Sequence, residues 1–268
     1  MLIEILGYIG ALLIGVVLGL TGGGGSILTV PIFVYVLSIE PVIATGYSLF
    51  VVGLSSLFGT FKNLRNGMVN YKAALLFAIP AVSAVFLTRK FLIPAIPETI
   101  AQLGKFTLHK DMAIMVFFAV LMLIASVSMI KTKKETTSKQ KAEKKSSVTN
   151  YTLLLVLGAF TGLITGLVGA GGGFIIVPIL VLLAKLPMKK AAATSLFIIA
   201  INSLLGFLGD VTNFEIDWIF LLSFSAIAIA GIYLGIYLNR FINGKKLKKA
   251  FGWLVLVMGI YIVWRELF

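Results

Sequence analysis

The residues best suited to chemistry in this sequence lie in two runs of glycine. The first run is Gly-Gly-Gly-Gly-Ser at 22–26, and the second is Gly-Ala-Gly-Gly-Gly at 169–173. Each run precedes a short apolar segment, so we expect an unwound loop from which a short helix begins, at Ile27 and at Phe174. The first N–H groups of a helix lack partners within the helix and carry the positive end of its dipole. Two such helix starts facing each other would bind an anion without a buried lysine or arginine.

Small polar side chains occupy matching places in the segments that follow. Tyr-Ser at 47–48 corresponds to Thr-Ser at 194–195, and Ser-Ser at 55–56 corresponds to Asn-Ser at 202–203. Hydroxyl and amide groups there could complete the hydrogen bonds of an oxyanion. Hydrogen bonds between helices, worth about 0.6 kcal/mol each, explain 55–56 and Ser203 equally well. The predicted substrate-binding residues are Gly22, Gly23, Gly24, Gly25, Ser26, Ser48, Gly169, Ala170, Gly171, Gly172, Gly173, Thr194, Ser195 and Asn202.

Helix packing is the alternative interpretation of the glycines. One small residue per turn, as in Gly15-x-x-x-Gly19 and Gly162-x-x-x-Gly166, is typical of a close helix–helix interface. We assign those four glycines to packing and the two continuous runs to the substrate, since packing does not need consecutive glycines. Neither run is a nucleotide-binding loop, because no Gly-Lys-Ser/Thr follows it and no strand is predicted before it.

The two runs belong to a duplicated unit. The segment GLTGGGGSILTVPI, beginning at Gly19, returns as GLVGAGGGFIIVPI, beginning at Gly166. The offset of 147 residues holds without a gap from Gly15 to Tyr71 of the first copy. Self-similarity at a fixed offset indicates that one structural unit was duplicated. Glycine-interrupted apolar segments at corresponding positions of two halves point to the binding site of a secondary transporter.

The composition places these units in a membrane. The chain has 268 residues, of which 59% are hydrophobic and 12% are charged, whereas soluble domains carry about 25% charged residues. We predict an all-α polytopic membrane protein of ten apolar segments: eight full spans of a bilayer core about 30 Å thick, and two short or re-entrant helices. Repeats 1–130 and 151–268 are joined by a flexible basic linker at 131–150. The ten segments are 3–20, 27–38, 42–61, 71–88, 112–130, 152–167, 174–185, 191–209, 217–238 and 250–266.

The distribution of basic residues predicts the orientation. If every segment crosses, eighteen of the 23 Lys and Arg residues fall on one side, seven of them in the linker 131–150. The positive-inside rule makes this side cytoplasmic and places both termini outside. Because each half has five segments, an odd number, the second half is predicted to lie upside down relative to the first. Lys62, Asp210 and His109 are expected to be solvated at helix ends or in loops.

Residue types disfavour other classes of protein. The net charge of +13 comes mostly from lysines between apolar segments, which is typical of membrane orientation rather than of nucleic-acid binding. An enzyme would need ionisable or nucleophilic groups clustered at membrane depth, but the ten acidic residues lie in predicted loops or helix ends and there is no cysteine. We predict no cofactor and no metal site. The expected partners are a small anion and the lipid bilayer, and a homo-oligomer is left open.

The doubled Gly-x-x-x-Gly-x-x-Gly-x-Gly-Gly…Pro pattern resembles the TauE/SafE family of sulfite and organosulfonate exporters. Ala-Thr-Ser-Leu at 193–196, Asn-Ser at 202–203 and Asp-Trp at 217–218 are similar to that family as well. The first half departs from the pattern with Gly-Tyr-Ser at 46–48 and Asn-Tyr at 70–71. The resemblance implies an inner-membrane transporter, and we expect a secondary exporter of sulfite, sulfoacetate or a related sulfur-containing or organic anion that works by alternating access. A passive anion channel on the same scaffold is the alternative.

Overall fold

The computed structural model of the chain describes residues 2–103, 106–130, 151–239, 241 and 244–267. The predicted linker at 131–150 lies outside these residues. The described residues form ten helices, one for each predicted apolar segment, and a short hairpin. The helices are α1 (Leu2–Thr21), α2 (Gly24–Val36), α3 (Pro41–Arg65), α4 (Tyr71–Ala95), α5 (Lys110–Ile130), α6 (Tyr151–Val168), α7 (Gly173–Leu182), α8 (Met188–Leu208), α9 (Trp218–Leu238) and α10 (Gly244–Leu267).

Two helices change their winding along their length. Helix α2 begins as a 3₁₀ helix at Gly24–Leu28 and ends as a π-helix at Ile32–Val36. Helix α4 is α-helical over Tyr71–Leu87 and continues as a π-helix at Thr88–Leu92. Local π-helical turns are rare and occur frequently at functional sites.

Several helices suit a bilayer. Among the described residues, five stretches are long and apolar enough to cross a membrane: α3, α4, Lys110–Val127 of α5, α8 and α9. Their outward side chains are apolar as well, since Ile79 of α4 is 64% exposed and Ile219 of α9 is 85% exposed. Such continuous apolar surface is unfavourable in water and is stable in lipid. The chain is therefore a multi-pass membrane protein.

The starts of α4 and α9 are fixed by equivalent caps. Oδ1 of Asn70 accepts a hydrogen bond from the backbone N of Ala73 at 3.0 Å. Oδ1 of Asp217 accepts one from the backbone N of Phe220, also at 3.0 Å. Asparagine and aspartate are both preferred N-caps because each offers an oxygen to an unpaired N–H group of the first turn. The asparagine by which the first half departs from the family pattern thus preserves the cap.

Helices of one half pack mainly on helices of the other half. Helix α1 packs on α9, and its repeat counterpart α6 packs on α4. In the same way α3 packs on α9 and α8 packs on α4, while α3–α8 and α5–α10 join counterparts directly. The pattern of these main contacts is unchanged when the two halves are exchanged. The halves are consequently interleaved and do not form two separate bundles.

The glycines predicted to pack helices do so. A Cβ added at Gly15 of α1 would lie 2.9 Å from the carbonyl carbon of Ala228 in α9. At Gly162 of α6 it would lie 2.8 Å from the Cα of Ala81 in α4. Both added atoms would press on backbone, which cannot rotate away as a side chain can. These two glycines therefore permit the close α1–α9 and α6–α4 contacts.

The described residues form an all-α fold, as predicted, except for one short hairpin. Between α4 and α5, strand β1 (Thr99–Leu103) pairs antiparallel with β2 (Phe106–His109). Short runs with β-branched residues, such as Thr99-Ile100, favour extended backbone, although the sequence alone predicts a loop between these two helices. His109 at the end of β2 is exposed, as expected.

Candidate functional site

The two glycine loops touch each other at the centre of the molecule. A Cβ added at Gly23 would lie 2.7 Å from the Cα of Gly173, and one added at Gly173 would lie 2.5 Å from the Cα of Gly23. Both residues are buried. Any side chain at either position would force the two backbones apart, because backbone atoms, not flexible side chains, form the contact. The loops are close only because both positions are glycine.

The loops end α1 and α6 in the same way. Gly22 has φ 76° and its repeat counterpart Gly169 has φ 73°, a left-handed conformation that glycine adopts without steric strain. The N–H of Gly22 donates to the carbonyl of Leu18 at 2.8 Å, and that of Gly169 donates to the carbonyl of Thr165 at 2.8 Å. Each loop thus leaves its helix through a left-handed glycine at the helix end.

Each loop is held by a serine of the opposite half. The hydroxyl of Ser48 in α3 donates to the carbonyl oxygen of Gly169 at 2.7 Å. The hydroxyl of Ser195 in α8 donates to the carbonyl oxygen of Gly22. The two bonds are repeat equivalents, and all four residues are buried. In this conformation the serines position the loops, since their protons are already donated to loop carbonyls.

Two further hydroxyls hold the starts of α4 and α9. The phenolic oxygen of Tyr47 accepts from the backbone N of Asp217 at 2.8 Å. The hydroxyl of Thr194 accepts from the backbone N of Asn70 at 3.0 Å. Tyr47 and Thr194 are repeat counterparts, so Gly-Tyr-Ser in the first half and Ala-Thr-Ser in the second support the same contact with side chains of different length.

The second glycine loop lies next to hydroxyls that have no hydrogen-bond partner among the described residues. They belong to Thr161 and Thr165 of α6 and to Ser203 of α8. A Cβ added at Gly171 would lie 3.3 Å from Oγ of Ser203, and one added at Gly172 would contact Oγ1 of Thr165. Buried hydroxyls are normally hydrogen-bonded, so these three are available as donors to a group bound beside the loop.

Sequence reasoning did not select the two threonines of α6. Their spacing was the available signal: Thr161, Thr165 and Gly169 are four residues apart and so follow one face of α6 into the loop. The counterparts in α1 are Ile14 and Leu18, whose side chains carry no polar atoms. The surroundings of the two loops therefore differ on the side of α1 and α6, where the second loop faces two threonines and the first faces two aliphatic side chains.

All fourteen predicted substrate-binding residues are buried. Within the first loop, the hydroxyl of Ser26 donates to the carbonyl of Gly23 at 2.7 Å and the N–H of Gly24 donates to Oγ1 of Thr21 at 2.8 Å. Ala170 belongs to the main apolar cluster. Oδ1 of Asn202, beside Ser203 in α8, has no hydrogen-bond partner within the described part of the chain.

One buried charge pair was missed entirely. Nη1 of Arg89, in the π-helical end of α4, lies 3.1 Å from Oδ2 of Asp210, just after α8, and the two side chains are 0% and 1% exposed. The expectation that Asp210 is solvated was therefore wrong. The two residues are 121 positions apart in sequence, and only the packing of α4 on α8 brings them together. Within the described ranges no cluster of His, Cys, Asp or Glu could hold a metal ion.

Comparison with known proteins identifies the family. The family model described as "Sulfite exporter TauE/SafE" matches residues 8–262, nearly the whole chain and both glycine loops. The chain belongs to the TauE/SafE family. The resemblance seen in the doubled glycine pattern is thereby confirmed.

Relatives of this TauE/SafE protein come from distant microorganisms. A "probable membrane transporter protein" of Xylella fastidiosa is 29% identical over 95% of this chain and 92% of its own length. Proteins of the same description from Methanocaldococcus jannaschii and Bacillus subtilis are each 25% identical, over 98% and 96% of this chain and 94% and 96% of their own lengths. No solved structure gives a significant match. The family and these names indicate a membrane transporter rather than an enzyme.

Proposed function

We propose that the protein is a secondary transporter that exports a small anion, namely sulfite, sulfoacetate or a related sulfur-containing or organic anion, across the inner membrane. The observation that carries the proposal is the contact of Gly23 with Gly173. It joins two loops from opposite halves, each of which begins a short helix. Such discontinuous helices near the middle of the membrane are where secondary transporters bind substrate.

Hydrogen-bond donors for an oxyanion are present beside this contact. The unpartnered hydroxyls of Thr161, Thr165 and Ser203 lie around Gly171 and Gly172. The oxygens of a bound anion would accept hydrogen bonds from these hydroxyls and from the N–H groups at the start of α7, which carry the positive end of the helix dipole. Because the counterpart positions of α1 are Ile14 and Leu18, we place the anion nearer the second loop.

The two halves are proposed to form an inverted repeat. Helix contacts that stay the same when the two repeats are exchanged indicate a two-fold axis between the repeats, as at an isologous interface. Five helices per half, together with basic residues concentrated in the linker 131–150 and in the regions 62–72, 185–190 and 240–249, favour an axis in the membrane plane. The linker and these regions then face the cytoplasm, and both termini lie outside.

The interleaved packing suggests which parts move. Helix α9 stays with α1–α3, and helix α4 stays with α6–α8, because those pairings are extensive. Movement of one group against the other about the α3–α8 contact would open the loops first to one side and then to the other. The two moving groups are then not the two halves of the sequence, because α4 and α9 are exchanged between them.

Transport by purified protein in liposomes tests the proposal. We expect saturable efflux of sulfite, and stabilisation of the detergent-solubilised protein by sulfite in a thermal unfolding assay that also includes thiosulfate, sulfonates and simple carboxylates. Unitary currents in a planar bilayer would instead support the passive channel. Absence of both flux and stabilisation with every anion tested would refute the proposal.

A further inference from the structure

The two halves differ in charge at the Arg89–Asp210 pair. Arg89 belongs to the first half and Asp210 to the second, but both lie in the group formed by α4 and α6–α8. Asp210 also faces the other group, because a Cβ added at Gly46 of α3 would lie close to its carboxylate. Their repeat counterparts are Ile236 and Asn63, which cannot form an ion pair. One end of the molecule therefore contains a buried ion pair at positions whose counterparts at the other end are uncharged.

Arg89 offers more hydrogen bonds than Asp210 uses. Nη1 of Arg89 lies 3.1 Å from Oδ2 of Asp210, which makes an ion pair. Among the described residues, however, none of its three guanidinium nitrogens has a hydrogen-bond partner of good geometry. A guanidinium carries five N–H donors arranged to bind carboxylates and other oxyanions at two points. Unused donors on a fully buried charge are costly in free energy. Arg89 can therefore donate hydrogen bonds to a second anion, or to one anion that uses more of its donors than Asp210 does.

The pair lies beside the second glycine loop. A Cβ added at Gly46 would lie 2.9 Å from Oδ2 of Asp210. The preceding residue, Thr45, contacts the loop itself, because a Cβ added at Gly169 would lie 2.6 Å from the Cα of Thr45. Adjacent residues of α3 thus connect the ion pair to the loop that has the unpartnered hydroxyls.

An exposed turn lies on the other side of the pair. Residues Val211, Thr212 and Asn213 directly follow Asp210 and are exposed. Nδ2 of Asn213 donates to the carbonyl oxygens of Arg89 at 3.3 Å and of Gly209 at 3.0 Å. The pair therefore occupies a position between the glycine loop and the surface of the molecule.

We propose that the Arg89–Asp210 ion pair closes the path between the second glycine loop and the exposed turn 211–213, and we call this pair the latch. The latch opens when the transported oxyanion replaces the Asp210 carboxylate on the Arg89 guanidinium. The latch rests on the proposed transport of an anion. The exchange conserves charge at Arg89, since one anionic oxygen donor replaces another. Asp210 is released beside the exposed turn, where water can solvate it. In the proposed orientation this is the outer side of the membrane.

Cysteine accessibility tests the latch without a substrate. The chain contains no cysteine, so Thr45→Cys gives a single reporter at a buried position next to Gly46. We expect Asp210→Asn, which removes the carboxylate charge, to raise the rate of labelling by a membrane-impermeant maleimide at least tenfold. The double variant Arg89→Gln/Asp210→Asn should do the same and leaves no unpaired buried charge. Lys90→Gln, at the exposed neighbouring position, is the matched control and should not change the rate.

Sulfite stabilisation of the same purified variants tests the contact with the anion. Asp210→Asn should bind sulfite at least fivefold more tightly than the parent, because the competing carboxylate is gone. Arg89→Gln/Asp210→Asn should bind it at least tenfold more weakly than Asp210→Asn. Equal affinities of these two variants would refute the contact of Arg89 with the anion, and an unchanged labelling rate in both would refute the latch. Failure of sulfite to stabilise any variant, with labelling still raised, would count against the proposed substrate and not against the closure.

Discussion

The hydroxyl of Ser48 donates a hydrogen bond to the carbonyl oxygen of Gly169 at 2.7 Å, across the boundary between the two repeats. The reciprocal bond runs from Ser195 to Gly22. A loop of consecutive glycines has few side-chain contacts of its own, and its conformational entropy is large. Each half therefore fixes the loop of the other, so the geometry of the candidate site depends on how the halves are assembled.

Replacing either serine by alanine should loosen the loop that it holds. Ser48→Ala leaves the buried carbonyl of Gly169 without this donor, and we expect a loss of about 1–3 kcal/mol in unfolding free energy. Ser195→Ala should give a similar loss, measured as a lower thermal midpoint in detergent. Ser83→Ala is the control, since Ser83 is exposed and donates only to the carbonyl of Ile79 within its own helix. Equal midpoints for all three variants would contradict the bracing described here.

A methyl group at the loop contact should stop transport. Gly173→Ala would place its Cβ 2.5 Å from the Cα of Gly23, so the two loops must separate, and we expect at least tenfold lower sulfite efflux from liposomes. Gly259→Ala in α10 is the control, because its added Cβ would meet only the flexible side chains of Leu123 and Met122, at 3.1 Å or more. Wild-type efflux in a folded Gly173→Ala protein would mean that the loop contact is dispensable.

Replacing a threonine of α6 should weaken anion binding without lowering the stability of the protein. Thr165→Val keeps the shape of the side chain and removes a buried hydroxyl that has no partner among the described residues. We therefore expect an unchanged or higher thermal midpoint but a loss of sulfite affinity of roughly tenfold, as for one lost hydrogen bond to a charged group. Thr60→Val is the comparison, since the hydroxyl of Thr60 donates to the carbonyl of Ser56 at 2.7 Å. It should leave the affinity unchanged, and the same result for Thr165→Val would remove that residue from the site.

Tyr47 should matter for the start of α9. Tyr47→Phe removes the oxygen that accepts from the backbone N of Asp217 at 2.8 Å, and loss of this partly buried hydrogen bond should lower the unfolding free energy by about 0.5–1.5 kcal/mol. Tyr237→Phe, at a ring that is 53% exposed, should change it by less than about 0.5 kcal/mol. Thermal unfolding of both variants checks this. A stable Tyr47→Phe protein would show that the cap of Asp217 suffices alone.

Local chemistry made several features predictable. The ten helices follow from runs of apolar residues, and the left-handed positions at Gly22 and Gly169 follow from glycine next to a helix end. The duplication could be read directly, because it preserved both the glycines and their spacing. The packing of Gly15 and Gly162 was predictable for the same reason, since small residues one turn apart permit close helix contact.

The missed features depend on residues that are distant in sequence. The unpartnered hydroxyls of Thr161 and Thr165 were not selected, because a threonine in an apolar helix usually bonds its own backbone. The hairpin at 99–109 was missed because its strands are short and lie among loop residues. A helix end is normally solvated, and this is why the sequence predicts a solvated Asp210. Arg89 lies 121 residues earlier in the chain, and no spacing rule connects the two residues.

The sequence by itself determined the membrane class, the helices, the repeat and the two loops, because hydrophobicity, glycine conformation and duplication are properties of neighbouring residues. Only the tertiary structure decided that helices pair across the halves, that Gly23 meets Gly173, and that Arg89 is buried against Asp210. Those relationships depend on which helix faces lie together once apolar surface is buried, and many pairings of ten similar apolar helices would satisfy the same sequence pattern.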